Sequence, residues 1–332
     1  MQKQSVAVLG ATGPVGQKVI SMLELSDRFS VEEVAASDQN LGKPYGQAVK
    51  WKNEFPLSAR VGSLTLKSPY EVKSRLVISA LPADQALEIE PALATKGHLL
   101  FSNASAFRMN EKVPLLIPEV NSSHLELLAR QETSGKIVTN PNCSTVFLMG
   151  ALAPLARVAK IENVSVVTLQ ALSGAGYPGV SSFDLMGNVI PHIGGEEAKI
   201  REEAKKILGS AAAPADFKLT VHVHRVPVLH GHTVATHVRF SREVRLEEAK
   251  EAIHTYQEKF PGFLEFHTAE DRPQPARDLH PHDNRVHLGR LKQDDDSCTI
   301  GLIAMGHNLV RGAAGAAIGN MEATLSFLGE SQ

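Results

Sequence analysis

Short apolar runs and segments of helical periodicity take turns along the first part of the chain. Residues 5–9 (SVAVL) are apolar without alternation, as in a strand buried on both faces, and Val15, Val19, Met22 and Leu23 then recur at helical spacing. The same succession returns at 31–37, at 76–80 followed by a helix opened at Pro82, and at 98–105. It predicts a parallel, doubly wound sheet whose ligands lie beyond the carboxyl ends of the strands. Past about residue 140 the pattern changes. A long strand in "ENVSVVTLQALSGAGYPG", a charged helix in "GGEEAKIREEAKKIL" and partly alternating strands in "KLTVHVHRVPV" and "HTVATHVRF" predict a second, mixed sheet. The Ala- and Gly-rich helical stretch at 309–328 carries small residues suited to close packing on the first domain. The expected division is residues 1–142 plus 309–332 against residues 143–308, an α/β domain and an α+β domain.

Composition narrows the class. The chain has 332 residues, is 43% apolar, and sets 34 Lys and Arg against 36 Asp and Glu, with no basic run or basic amphipathic helix. Nucleic acid is therefore not an expected partner. The N-terminus passes straight into a short strand and no apolar stretch would span a bilayer, so no membrane association and a cytoplasmic location are expected. Cys143 and Cys298 are expected to be free thiols in a reducing compartment. No internal repeat or low-complexity segment is present.

The segment "GATGPVG", residues 10–16, lies between the first strand and the first helix. Gly10 permits a tight turn, Gly13 a close approach of backbone to a pyrophosphate and Gly16 close helix packing, while Pro14 suits a first turn whose amide needs no partner. This is the arrangement of a Rossmann-like dinucleotide site, with free helix amides facing an anion. After the second strand the signals conflict: Asp38 suits the ribose diol of NAD(H), whereas Ser37 and Lys43 suit the 2′-phosphate of NADP(H). NADP(H) is the expected cofactor, with NAD(H) the weaker alternative.

In "VTNPNCSTVFLMGALAPL" a cysteine stands where an apolar strand yields to an apolar helix, among Asn142, Ser144 and Thr145. The helix dipole and the unpaired first-turn amides favour thiolate there, and lowering a thiol pKa from ~8.5 to ~7 raises its thiolate fraction at pH 7 roughly tenfold. The same amides can stabilise an oxyanion formed when that sulfur attacks a carbonyl. On local sequence alone, a structural cysteine at a helix start fits equally well. The histidines of "HVHR" and "LHPHDNRVH" read as strand alternation and a polar loop rather than metal ligands. Residues 294–296 read as a solvated turn and Cys298 as core in an apolar strand.

Taken together, "GATGPVG", "NPNCST", "QALSGAG", "IGGEEAKI", "RVPVLHGHT" and "GHNLVRGAAGAA" resemble, in order and spacing, the aspartate-β-semialdehyde dehydrogenase family. "NVIPHIGGEEAKI" and "RVPV" are most similar to its branch containing archaeal and fungal enzymes. N-acetylglutamyl-phosphate reductases usually carry glycine before the cysteine, where this chain has Asn142. The resemblance implies NADPH-dependent reduction of L-aspartyl 4-phosphate to L-aspartate 4-semialdehyde in amino-acid biosynthesis, with release of phosphate. It makes Cys143 the nucleophile that forms a thioester, His232 the general acid/base, and Asn142 and Gln170 the residues that orient cysteine and substrate. Arg225 is assigned to the substrate carboxylate, Glu196 to its ammonium, and Arg108 with Lys199 to phosphate. Cofactor contacts fall on Gly10, Thr12, Gly13, Pro14, Val15, Gly16, Ser37, Gln39, Asn40, Lys43, Ser79, Ala80, Leu81, Ser173, Gly174 and Asn308. No metal is implied, and the second domain is expected to pair chains into a homodimer or homotetramer. Gln39 stands where many relatives carry an arginine, so the 2′-phosphate grip is expected to be partial. Two other readings remain open: a malonyl-CoA reductase on the same scaffold and a non-enzymatic NADP(H)-binding redox sensor using Cys143.

Overall fold

A computed structural model describes residues 3–36 and 38–330. It divides into two compact units: Met1–Pro118, Ser122–Pro141 and Ala313–Gln332 form one, Glu119–Asn121 and Asn142–Gly312 the other.

The first unit holds six parallel strands: β1 (Gln4–Leu9), β2 (Phe29–Ala35), β3 (Leu66–Lys67), β4 (Leu76–Ser79), β5 (Leu99–Ser102) and β6 (Lys136–Thr139), in the order β3-β2-β1-β4-β5-β6. The order reverses at β1, the switch point where a doubly wound sheet opens a ligand crevice. Helices α1 (Pro14–Leu23) and α2 (Ala83–Thr95) follow β1 and β4. Both faces of β1 are covered, Val6 and Val8 packing in one apolar cluster and Ala7 and Leu9 in another, which is why its sequence shows no alternation. Register places Leu9 opposite Ser79, Ser79 opposite Ser102 and Ser102 opposite Thr139, so the strands end on one line. The strand expected over 98–105 stops at Ser102, whose Oγ accepts the N–H of Ala104 at 3.1 Å and turns the chain out of the sheet.

The second unit opens with α3 (Cys143–Leu155) and contains β7 (Ile161–Gln170), α4 (Glu196–Leu208), β8 (Lys218–Arg225), β9 (His232–Phe240), α5 (Leu246–Lys259), β10 (Leu264–Phe266), β11 (Val286–Gln293) and β12 (Thr299–Gly306). Its sheet is mixed, in the order β10-β11-β12-β9-β7-β8. Helix α3 lies on β9 and β12 with α4 and α5 beside it. Every residue of α3 after Cys143 is buried, and Gly150 is required there because a Cβ would sit 2.7 Å from Val286 Cγ1. On β7, Val164 and Val166 are buried while Ser165, Val167 and Leu169 are exposed on the opposite face. Cys298 is not core: it sits half-buried in the turn before β12, where Asp296 Oδ1 accepts its N–H at 2.8 Å. The acidic run at 294–296 likewise lies in the turn between β11 and β12, and Asp296 pairs with Arg239. The C-terminal α6 (Gly315–Phe327) belongs to the first unit and places Ala317, Met321 and Leu325 in the cluster that contains Val6 and Val8. Among the described residues no helix is long and apolar enough to cross a membrane.

Candidate active site

Cys143 is the first residue of α3 and is half-buried. Asn142 caps the helix, its backbone extended at φ −54° and ψ 143° and its Oδ1 accepting the N–H of Ser144 at 2.9 Å. The first turn carries no acidic residue, so its amides and the helix dipole act on the sulfur without a competing anion in that turn. A wall of backbone closes one side of the thiol. A Cβ at Gly312 would come within 2.7 Å of Cys143 Cβ, so only glycine fits. Gly312 lies in a π-helical turn, Val310–Ala314, whose Arg311 forms a two-pronged ion pair with Glu119 (3.1 and 2.7 Å) and lies 4.5 Å over the Phe263 ring.

The first residue of β9, His232, is fully buried. Its Nδ1 accepts the N–H of Ala171 at 3.0 Å, so the neutral ring carries its proton on Nε2, which has no hydrogen-bond partner. Burial, reinforced by Arg225 and His307, pushes its pKa down to about 3. Arg225 ends β8, is 5% exposed and donates from Nη1 to the carbonyl of Ala171 at 2.6 Å. Burial lowers its proton affinity, while neighbouring Cys143 and Glu196 act in the opposite direction. Gly174 passes over both side chains, and a methyl on it would meet His232 Cε1 at 2.8 Å and Arg225 Nη1 at 2.9 Å. Gln170 ends β7 and is buried, its Nε2 3.4 Å from Thr168 Oγ1.

Helix α4 brings the acidic groups. Glu196 Oε2 accepts from Asn142 Nδ2 at 2.6 Å and its Oε1 pairs with Lys199 at 3.2 Å. A cavity of about 450 Å³ is lined by Asn142, Cys143, Gln170, Glu196 and Arg225, among others. Lys199, half-exposed, and His232 are not among its walls. Arg108 belongs to the first unit, where its Nη2 donates to the carbonyl of Asn103 at 2.7 Å. Glu203 was not anticipated from the sequence: it is 2% exposed and its Oε2 accepts the backbone N–H of Asn142 at 2.5 Å. The available signal was its position seven residues after Glu196, on the same helix face.

In the first unit the glycine turn has the shape a dinucleotide needs. Gly10 has φ +66°, and a Cβ there would meet the Ala80 carbonyl oxygen at 2.4 Å; at Gly16 it would meet the Gly10 carbonyl oxygen at 2.4 Å. Gly13 is the N-cap of α1 and Pro14 follows, with no side-chain cap and no acidic residue in the first turn, so the helix end offers its amides to an anion. Gln17 Nε2 pins the carbonyl of Thr12 at 2.8 Å ahead of Val15. Ser79 ends β4, with Ala80 and Leu81 beyond it. Ser37 lies outside the described residues. Gln39 and Asn40 form a 3-10 turn after β2, and Lys43 Nζ bonds to the Gln39 carbonyl at 3.2 Å and Asn40 Oδ1 at 3.3 Å. Ser173 and Asn308 belong to the second unit, Asn308 Nδ2 donating to Ser173 Oγ at 2.8 Å.

The histidine-rich loop is more ordered than a solvated loop. Asp283 and His287 are buried, with His287 bonded to Asp283 at 3.0 Å and to His267 at 2.9 Å. Among the described residues no three His, Cys, Asp or Glu side chains are placed to hold a metal.

Comparison with known proteins settles the family. "Semialdehyde dehydrogenase, NAD binding domain" matches residues 5–128 and "Semialdehyde dehydrogenase, dimerisation domain" residues 152–311. An aspartate-semialdehyde dehydrogenase of Archaeoglobus fulgidus is 45% identical over 96% of this chain and 97% of its own length. The chain belongs to the aspartate-semialdehyde dehydrogenase family. The dehydrogenase of Trichophyton rubrum is 39% identical over 97% of each chain. The aspartate-semialdehyde dehydrogenase of Candida albicans, solved with NADP, superposes with a TM-score of 0.86 at 29% identity over 99% of each chain. Among aspartate-semialdehyde dehydrogenases, isozyme II of Vibrio cholerae shares the fold, with a TM-score of 0.82 at 24% identity over 98% of this chain and 99% of that one. The matched dimerisation domain makes the protein a homo-oligomer.

Proposed function

We propose that the protein reduces L-aspartyl 4-phosphate to L-aspartate 4-semialdehyde with NADPH, releasing phosphate, through a thioester on Cys143. The observation that carries this reading is the convergence of Cys143, Arg225 and Glu196 on one cavity. A nucleophile, a guanidinium fork and a carboxylate answer the acyl carbon, α-carboxylate and α-ammonium of one substrate. Lys199, on α4 three residues after Glu196, is proposed as a cation for phosphate, and Arg108 keeps the same proposed role from the resemblance.

Cys143 thiolate attacks the acyl carbon, the first-turn amides and the Nε2–H of His232 stabilise the oxyanion, and phosphate leaves as the thioester forms. When bound at the glycine turn, NADPH supplies the hydride. His232 Nε2–H hydrogen-bonds the alkoxide oxygen of the resulting thiohemiacetal and keeps its proton as the carbon–sulfur bond breaks, freeing aldehyde and thiolate. Asn142, fixed by Glu196, keeps the helix cap rigid while the sulfur changes partners.

A malonyl-CoA substrate has no ammonium to meet Glu196, the carboxylate that lines the cavity beside Cys143. A redox sensor needs no guanidinium and carboxylate around its thiol. Gln39, where many relatives carry an arginine, leaves a partial grip on the 2′-phosphate of NADP(H) and so keeps NAD(H) as a weaker alternative. The exposed face of β7 supports pairing of chains through the second sheet, as a homodimer or a dimer of dimers. A cytoplasmic location fits the free thiols. The test follows absorbance of reduced cofactor with aspartate semialdehyde, phosphate and NADP or NAD. Phosphate-dependent turnover by the wild type, abolished in Cys143→Ser with NADPH binding retained, is expected. Turnover without phosphate, or near wild-type rate in Cys143→Ser, refutes the mechanism.

A further inference from the structure

We infer that Glu203 is a positioning residue for the nucleophile: its carboxylate fixes the backbone of Asn142 and so sets the direction of Cys143 at the start of α3. The inference rests on Cys143 being the reacting group. Asn142 is 6% exposed and follows Pro141, which has no N–H, so its own amide is a buried donor that the end of β6 does not serve. In a capping box that donor is taken by a Glu or Gln at the third helical position. Here that position is Thr145, whose Oγ1 is buried without a hydrogen-bond partner. The acceptor comes instead from another helix. Glu203 Oε2 meets the Asn142 N–H at 2.5 Å, a charge-assisted bond.

Two carboxylates of α4 therefore hold the same residue. Glu196 takes the side-chain amide at 2.6 Å, and Glu203, two turns and about 10.5 Å further along the helix, takes the backbone. The side-chain bond alone leaves the peptide free to rock about its φ and ψ. The backbone bond does not, and Cys143 is the next residue. Lys206, one turn beyond Glu203, offsets the buried charge, its own pKa pushed down to about 8 by burial against the pull of Glu203.

An anion beside a thiolate disfavours it, so a role in charge and a role in reach predict opposite results. Glu203→Asp keeps the charge but is shorter by about 1.5 Å; Glu203→Gln loses the charge but keeps an oxygen at full reach. We measure kcat and KM for aspartate semialdehyde with phosphate and NADP, and iodoacetamide labelling of Cys143 resolved by peptide from Cys298. Expected are a kcat lower by about tenfold or more in Glu203→Asp with KM within about twofold, slower labelling of Cys143, and both quantities within about threefold of wild type in Glu203→Gln. If Glu203→Asp does not fold, Glu203→Met, which fills the space without an acceptor, takes its place with the same expectation. Equal impairment of the Asp and Gln variants, a wild-type kcat in the Asp variant, or a change in KM alone overturns the inference. A wild type without phosphate-dependent turnover, but with labelling slowed in Glu203→Asp and not in Glu203→Gln, refutes the proposed function and leaves the positioning role standing.

Discussion

The backbone N–H of Ala171 donates to Nδ1 of His232 at 3.0 Å, and the imidazole is thereby held with its proton on Nε2. Ala171 also receives Arg225 on its carbonyl, so one residue, through its two flanking peptides, orients His232 and Arg225 together. His232→Asn keeps an acceptor for Ala171 but has no N–H at the Nε2 position. Its kcat should fall about 100-fold or more with KM changed only a few-fold. Steady-state rates under saturating phosphate decide the matter; an unchanged kcat removes His232 from stabilising the reacting oxygen.

Arg225→Lys tests the fork. A lysine keeps the charge and loses both the planar pair of donors and the bond that reaches Ala171. Loss of one charge-assisted hydrogen bond of ~1.5–3 kcal/mol lowers kcat/KM for aspartate semialdehyde by roughly ten- to a hundredfold or more. Wild-type kcat/KM in this variant would take the substrate carboxylate away from Arg225 and reopen the malonyl-CoA reading.

The loop after β2 should govern cofactor choice. Lys43 is already bonded to the Gln39 carbonyl and Asn40, leaving a partial grip for a 2′-phosphate. Gln39→Arg is expected to raise the ratio of kcat/KM for NADP to that for NAD by about tenfold, the value of one added charged hydrogen bond. A constant ratio shows that position 39 faces elsewhere.

Glu90 gives a stability prediction with a definite sign. It is fully buried on α2, and burial, opposed by the Ser102 hydroxyl that donates to it at 2.6 Å, pushes its pKa up from 4.5 to about 6. Between these values the fold binds more protons than the unfolded chain, so this group's contribution falls as pH rises and its full cost, about 2 kcal/mol, is present above pH 6. His232 runs the other way, its buried neutral ring losing stability as pH falls from 6.5 toward about 3. The difference between Glu90→Gln and wild type isolates the first effect. Thermal melts should show the variant raised by a few degrees at pH 7.5 and nearly equal to wild type at pH 4.5; equal midpoints at both refute it.

Elements that announce themselves by period or punctuation were legible. The unalternated run of β1, the glycine turn and the helical spacing in α1 led directly to a Rossmann-like unit, because those signals are local. Cys143 was legible as a helix start for the same reason. What surrounds it was not: Glu203 lies 61 residues from Asn142, whose N–H it takes, and Gly312 lies further still from Cys143, and each acts by touching a neighbour that only folding supplies. Cys298 misled because the strand begins one residue later, at Thr299, and its buried apolar run at Ile300, after a turn that leaves the thiol half-buried. His287 and Asp283 read as loop residues because polar side chains that satisfy one another inside a fold look, in sequence, like side chains facing water.

Helix α3 has no wet side: from Ser144 to Leu155 every residue is buried, and Cys143 alone reaches out. Such a helix has no local opening of its own, since fraying or swinging it would expose a whole apolar surface at once. Its amides should therefore exchange with solvent deuterium only through unfolding of the entire second unit, while those of the half-exposed α4 exchange sooner. The Cys143 sulfur is thus mounted on the part of its unit expected to exchange slowest, so its placement should outlast the breathing of the helices around it.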